Sequence, residues 1–195
     1  MWDQRYDTAD YVYGKEPNDF LRAMADRLPS GRALCLGEGE GRNAVFLAGR
    51  GFEVTAVDGS GVGLAKTERL ADERQVTVAT VRADLADFPI EPASWNLIVS
   101  IFCHVPAGLR ADLHRRVVEG LRPGGMFLLE AYNPGQIEYG TGGPPTPDLM
   151  MDLAALKQEL AGLRLIHALE AVRDVREGRF HSGPGAVVQI LAVKD

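Results

Sequence analysis

Residues 34–43 read Leu34-Cys35-Leu36-Gly37-Glu38-Gly39-Glu40-Gly41-Arg42-Asn43, an apolar run that breaks into a glycine loop and then into helix-forming sequence. A glycine-rich turn between strand and helix lets a ligand approach bare backbone and the positive end of a helix. The glycines fall at 37, 39 and 41, so the spacing is G-x-G-x-G. Position 42 is an arginine, and the G-x-G-x-x-G spacing of dinucleotide-binding folds is not met. Two glutamates stand between the glycines. A pyrophosphate within about 4–6 Å of them would be disfavoured by on the order of 1 kcal/mol per contact, even at surface-like dielectric. The loop asks for a ligand of the other sign.

Outward from the loop, short apolar runs alternate with helix-like ones. Strands are expected at 33–36, 52–57, 76–82, 95–102 and 126–131, and helices at 42–50, 62–75 and 107–121. This alternation predicts a parallel sheet with helices on both faces. The stretch 133–148, NPGQIEYGTGGPPTPD, is too dense in Gly and Pro for regular structure and reads as a functional lid loop. A helix is expected at 149–163. Two β-like runs, 169–175 and 185–193, then flank the turn-rich EGRFHSGP of 177–184 and read as an antiparallel hairpin. A dinucleotide fold would keep alternating strand and helix there.

The 195 residues carry a formal net charge of -6, with 46% hydrophobic and 25% charged side chains, as expected of one soluble globular domain. No basic face is available to neutralise a phosphate backbone, so nucleic acid is not an expected partner. No apolar run approaches the roughly 20 residues of a membrane span, and no membrane partner is expected. The opening MWDQRYDTADYVYG lacks the pattern of a signal peptide. Cys35 and Cys103 sit in apolar runs as buried thiols, which fits a reduced, cytoplasmic setting. No His, Cys, Asp and Glu spacing reads as a metal site.

The ends of the next strands name the ligand's parts. Asp58 ends the second strand, roughly 20 residues past the first loop glycine, where a carboxylate accepts hydrogen bonds from both hydroxyls of a ribose. Asp84 ends the third, placed for the exocyclic amine of an adenine while the Leu85 amide donates to the ring. In an open α/β sheet these carboxyl ends line one crevice, so loop, Asp58 and Asp84 converge. S-adenosylmethionine joins an adenosine to an ammonium and a sulfonium, which suits acidic neighbours. Its carboxylate could meet Arg42, Arg5 or helix N-terminal amides. Glu38 is expected beside the ligand, and Glu40 either beside it or in solvent. Trp2, Tyr6, Tyr11 and Tyr13 read either as a helix packed on the core or as a lid stacking near the sulfonium.

With these residues in place, the chain resembles the class I S-adenosylmethionine-dependent methyltransferases. LCLGEGEGRN, AVDGS, RADLADF, WNLIVSIFCHVP and LRPGGMFLLE carry that resemblance. WDQRYDTADYVYGKEPNDFL, QIEYGTGGP and EGRFHSGPGAVVQ are similar to its tellurite-resistance (TehB-like) branch. The resemblance implies one Rossmann-like α/β domain over 1–195. Its sheet would be mostly parallel and seven-stranded, ending in an antiparallel hairpin, with helices on both faces. It also implies an N-terminal lid segment at 1–28 and a lid loop at 133–148.

The implied cofactor is S-adenosylmethionine, leaving S-adenosylhomocysteine as product. Its expected contacts are Trp2, Arg5, Tyr6 and Tyr13 from the N-terminal segment, and Gly37, Glu38, Gly39, Arg42 and Asn43 from the loop. Asp58, Gly59, Ser60, Asp84, Leu85 and Ile101 complete the set. Many members carry an acid two places before the first loop glycine, where this chain has Cys35; Glu38 is the candidate to take over its role. On the acceptor side the expected residues are His104 after the fourth strand, Tyr132 after the fifth, and His181 and Arg179 in the hairpin turn. The implied activity is methyl transfer to a small soft or anionic acceptor, a thiol or a selenium or tellurium oxyanion. Alignment of the reactants is the protein's main task, supplying up to roughly 7–11 kcal/mol. Two other readings stay open: a nicotinamide-dependent oxidoreductase, and an S-adenosylmethionine-binding protein without catalysis.

Overall fold

The computed structural model describes residues 1–195. Seven strands form one sheet: β1 (Arg32–Leu36), β2 (Glu53–Asp58), β3 (Val78–Arg82), β4 (Trp95–Ile101), β5 (Leu121–Tyr132), β6 (Arg164–Arg176) and β7 (Ser182–Val193). Their order is β3-β2-β1-β4-β5-β7-β6. β1 to β5 pair in parallel, and β7 enters antiparallel between β5 and β6. The Rossmann-like methyltransferase sheet expected from the sequence is therefore the one observed. Strand order reverses between β1 and β4, and an open α/β sheet binds its ligand at the carboxyl ends beside such a switch point.

Helices cover both faces, so the central strands are apolar on both sides. Alternate residues of β1 divide between two cores. Leu34 and Leu36 pack with Ile98, Phe127 and Leu129 under α5 (Ala107–Gly120) and α6 (Leu153–Glu159). Ala33 and Cys35 pack with Leu97, Val99 and Leu128 under α2 (Asp19–Met24), α3 (Arg42–Gly49) and α4 (Gly61–Glu73). Cys35 is fully buried there, with its thiol beside the Glu38 carboxyl. A short α1 (Trp2–Tyr6) precedes α2.

Several boundaries differ from expectation. Leu121 already pairs with Trp95, and the ladder resumes at Met126 opposite Leu97, so Pro123-Gly124-Gly125 is a bulge within β5. The helix expected at 149–163 is confined to Leu153–Glu159, because Asp152 caps it by accepting from the Ala155 amide at 2.8 Å. The hairpin strands run longer, paired from Arg164–Val193 to Arg176–Ser182. The 133–148 loop holds 3-10 turns at Pro134–Glu138 and Pro147–Leu149, each begun by a proline whose fixed φ suits a first helical position. No helix is long and apolar enough to cross a membrane.

Candidate cofactor and acceptor site

A cavity of about 920 Å³ opens at the carboxyl ends of β1 to β4, roofed by the N-terminal segment, residues 142–145 and the β6–β7 turn. That is near the upper end of ordinary ligand pockets, roughly 300–1,000 Å³, and leaves room for a cofactor and a small second molecule.

The glycine loop shapes its floor. Gly37 and Gly39 both adopt left-handed φ, +61° and +66°. A Cβ on Gly37 would come within 2.6 Å of Cys103 Sγ, and one on Gly39 within 2.5 Å of Tyr6 Oη. The glycines serve close approach by the protein's own side chains as much as by a ligand. Glu38 then answers the question of charge. Its Oε1 accepts the amides of Asn43 at 2.9 Å and Ala44 at 2.8 Å, so the carboxylate fills the N-terminus of α3 from within. An anion is stabilised at that position, and here the anion belongs to the chain. A pyrophosphate drawn to those amides would meet a carboxylate already bonded to them. Burial drives the Glu38 carboxyl up to about 7, against the pull of those amides and of Arg42.

Asp58 lines the cavity while accepting from the Gly39 amide at 2.8 Å and the Ser60 amide at 2.7 Å. A carboxylate offers about four lone-pair sites, so capacity remains for a ribose diol. Burial raises its pKa, opposed by the same two amides. Asp84 receives the Ala86 amide at 2.9 Å and lines the cavity beside Leu85, whose own amide makes no hydrogen bond within the protein. Carboxylate and free amide side by side form the acceptor–donor pair that an adenine edge presents in complement. These groups fit an adenosine joined to a cation.

Of the other residues expected at the cofactor, Trp2, Arg5, Tyr6, Tyr13, Gly37, Arg42, Asn43, Gly59 and Ile101 line the same cavity. Gly39 and Ser60 stand just behind the wall, where they hold Asp58 through their amides. Glu40 is neither beside solvent nor on an ammonium. It forms a buried pair with Lys66 at 2.7 Å and accepts the Val12 and Tyr13 amides at 2.8 and 3.2 Å, pinning the N-terminal segment to the loop. Asn43 adds a second pin, accepting from the Asn18 amide at 2.9 Å.

The acceptor side gathers three of the four expected residues. His104 lines the cavity with both ring nitrogens engaged: Nδ1 lies 2.9 Å from the Leu149 carbonyl, and Nε2 accepts from the Tyr132 amide at 3.4 Å. Burial pushes its pKa down to about 4. His181 also lines the cavity, ring edges against Phe102 and Tyr132 at centroid distances of 4.6 and 5.2 Å. Burial, then the charge of Arg42, takes it down to about 3. Tyr132 is fully buried one layer behind. Arg179 is the exception. It is exposed outside the cavity with its guanidinium 5.2 Å from the Phe180 ring, because its amide is tied back to the Val12 carbonyl at 2.8 Å.

Sequence reasoning missed the buried network that carries Arg42. Arg42 pairs with Glu177 at 2.5 Å, Glu177 with Arg173 at 2.6 Å, and Arg173 with Glu130, while Asn18 bridges both glutamates at 2.9 Å. Burial works against Glu177, yet Arg42 and Arg173 outweigh it and hold its carboxyl down to about 2. It also missed Phe102, which follows β4 with φ of +50° and wedges its ring among His181, Tyr132 and His104. No local pattern announces either; both depend on segments far apart in the chain.

Comparison with known proteins agrees with this geometry. The methyltransferase domain family matches residues 33–125, from β1 to the bulge of β5. The carboxy-S-adenosyl-L-methionine synthase of Aeromonas salmonicida is 31% identical over 105 residues, covering 53% of this chain and 40% of the relative. The chain thus spans well under two-thirds of the length of that curated relative. TehB from Haemophilus influenzae superposes with a TM-score of 0.76 at 18% identity, over 100% of this chain and 66% of that one. A protein crystallised in work on the conversion of a disulfide bond into a thioacetal group during echinomycin biosynthesis superposes at 0.79 and 18% identity, over 100% of this chain and 90% of that one. The switch-point cavity and the acidic glycine loop lie in and beside the stretch that matches the methyltransferase domain family, and the whole chain shares the fold of these solved structures.

Proposed function

We infer that the protein transfers a methyl group from S-adenosylmethionine to a small soft or anionic acceptor of the thiol or selenium or tellurium oxyanion type. The observation that carries the cofactor half of this reading is Glu38, whose carboxylate fills the α3 N-terminus beside Asp58 and so favours a cationic tail over a pyrophosphate. When bound, S-adenosylmethionine supplies a sulfonium-activated methyl that an acceptor lone pair takes as the carbon–sulfur bond breaks, leaving S-adenosylhomocysteine.

In this reading Asp58 holds the ribose, and Asp84 and Leu85 the adenine. Arg5, whose Nη1 donates to the Tyr13 hydroxyl at 3.1 Å, faces the cofactor carboxylate. Residues 1–28 act as a lid, with Trp2, Tyr6 and Tyr13 excluding water near the sulfonium, and loop 133–148 closes the other side. His181 and Tyr132 serve the acceptor, and His104 positions Tyr132. The structural likeness to TehB, and to a protein whose described chemistry is on sulfur, favours a soft acceptor. A dinucleotide-dependent oxidoreductase is disfavoured by the occupied helix N-terminus.

Calorimetric titration with S-adenosylmethionine and S-adenosylhomocysteine tests this. Micromolar binding, about 8 kcal/mol, is expected, and Asp58→Ala weakens it at least tenfold, about 1.4 kcal/mol. Tight NADH binding without any response to S-adenosylmethionine would overturn the reading.

A further inference from the structure

The end of the cavity away from Asp58 and Asp84 holds polar groups with nothing to bind. Four buried side-chain polar atoms in the protein lack a hydrogen-bond partner, and three of them, Arg42 Nη1, His181 Nδ1 and Tyr132 Oη, belong to this end. Arg42 and His181 line the cavity and are each only 7% exposed. Tyr132 Oη lies directly behind Gly142, a cavity-lining residue on which a Cβ would come within 3.2 Å of that hydroxyl and 3.1 Å of the His181 ring. Buried polar groups are almost always paired, and each unpaired one is costly. Three gathered at one end of a cavity mark a place where something else supplies the partner.

The chemistry of the three groups defines that partner. A guanidinium only donates, and it stays charged. Arg42 is fixed through Glu177, whose charge is shared with Arg173, itself shared with Glu130; the two arginines and two glutamates balance. The outer nitrogen of Arg42 is left free. His181 is neutral at ordinary pH and can present an N–H at Nδ1, and Tyr132 can donate its hydroxyl hydrogen. Three donors call for an oxygen group that accepts and carries negative charge. Phe102 holds the aromatic wall between His181 and Tyr132 in a left-handed backbone conformation, a strain of the kind found where a ligand is gripped.

We propose that Arg42, His181 and Tyr132 form an oxyanion subsite that holds the methyl acceptor, and that the acceptor is a small molecule bearing a carboxylate or comparable oxygen anion. The proposal rests on the methyltransferase reading above and narrows it: a plain neutral thiol is a poor acceptor. It also assigns Arg42 to the acceptor and leaves the cofactor carboxylate to Arg5.

Two-stage calorimetry tests it. The protein is first loaded with S-adenosylhomocysteine, then titrated with sulfite, selenite and 3-mercaptopropionate, with neutral 3-mercaptopropanol as control. At least one anion is expected to bind tenfold or more tightly than the control. Tyr132→Phe and His181→Phe each remove a polar atom that has no partner in the free protein. Both are expected to keep the melting temperature and S-adenosylhomocysteine affinity while losing fivefold or more of the anion's advantage. Arg42→Lys keeps a charge beside Glu177, removes the free nitrogen, and carries the same expectation should a phenylalanine variant fail to fold. Absence of anion binding, equal binding of the neutral thiol, a fall in melting temperature with Tyr132→Phe, or weaker S-adenosylhomocysteine binding in the variants would each overturn the subsite. Failure of the intact protein to take S-adenosylhomocysteine at all would instead overturn the methyl-transfer reading on which it rests.

Discussion

At the ends of β1 to β3 the cavity wall fixes its carboxylates with backbone amides, whereas at the ends of β4 and β5 it fixes its charges with one another. Glu38, Asp58 and Asp84 each accept from main-chain N–H groups within a few residues or one strand. Glu130, Arg173, Glu177 and Arg42 are drawn instead from β5, the hairpin and α3, and hold only as a set. The consequence is opposite proton affinity. Burial raises Glu38 to about 7 and raises Asp58, while paired guanidinium groups lower Glu177 to about 2. A wall held by amides suits a ligand that never varies. The two walls meet at Arg42, which pairs with Glu177 and also pulls on the Glu38 carboxyl.

The largest effect expected lies where the two walls are tied to the N-terminal segment. Lys66→Met leaves Glu40 buried without its cation, with side chains 1% and 2% exposed. It should destabilise by about 3–5 kcal/mol, lowering the melting temperature by roughly 6–20 °C. Adding Glu40→Gln, which removes the unpaired charge yet keeps an acceptor for the Val12 and Tyr13 amides, should return part of that loss. An unchanged melting temperature in the single variant would show that the pair does not hold the segment.

Acid should break the side-chain wall first. A carboxyl whose folded pKa lies below its unfolded value contributes stability above the unfolded value, near 4.5, and loses it as pH falls toward the folded value, here about 2. For Glu177 this amounts to on the order of 3 kcal/mol at most. Urea unfolding from pH 6 to pH 3 should therefore show falling stability, with a flatter profile in Glu177→Gln.

The amide-held wall responds nearer neutral pH, in ligand affinity rather than in stability, and less strongly. Glu38 gains its proton as pH drops through about 7, so it is a full anion for a cationic ligand only above that. S-adenosylhomocysteine affinity should rise severalfold from pH 6 to pH 8, and Glu38→Gln should remove that rise. Removing residues 1–14 should weaken cofactor binding while unfolding stays cooperative. Undiminished affinity in that variant would leave the segment as packing alone.

The contrast also explains what could be read in advance. Period and composition placed every strand of the sheet, and strand ends placed Asp58 and Asp84, because both signals are local. Glu38 could be picked out as the important acid, but its cap on α3 needs the folded loop to be visible. From the sequence Glu40 reads only as ligand-facing or solvated, since its partner Lys66 lies 26 residues away in the chain. Arg179 and His181 share one turn sequence, yet only the fold decides that the first points out and the second in.

The position of β7 sets an order of events. It is the last of the seven strands in the chain, yet it lies inside the sheet, between β5 and β6. A nascent chain halted before Ser182 already contains Glu38, Asp58, Asp84 and the whole parallel half of the sheet. The free edge of β5 stays open to the ribosome's surroundings until β7 arrives, and with it the bond from Gln189 to Glu130. Synthesis from the N-terminus thus delivers Glu38, Asp58 and Asp84 first and His181 last, and in the interval between them the β5 edge is left unpaired.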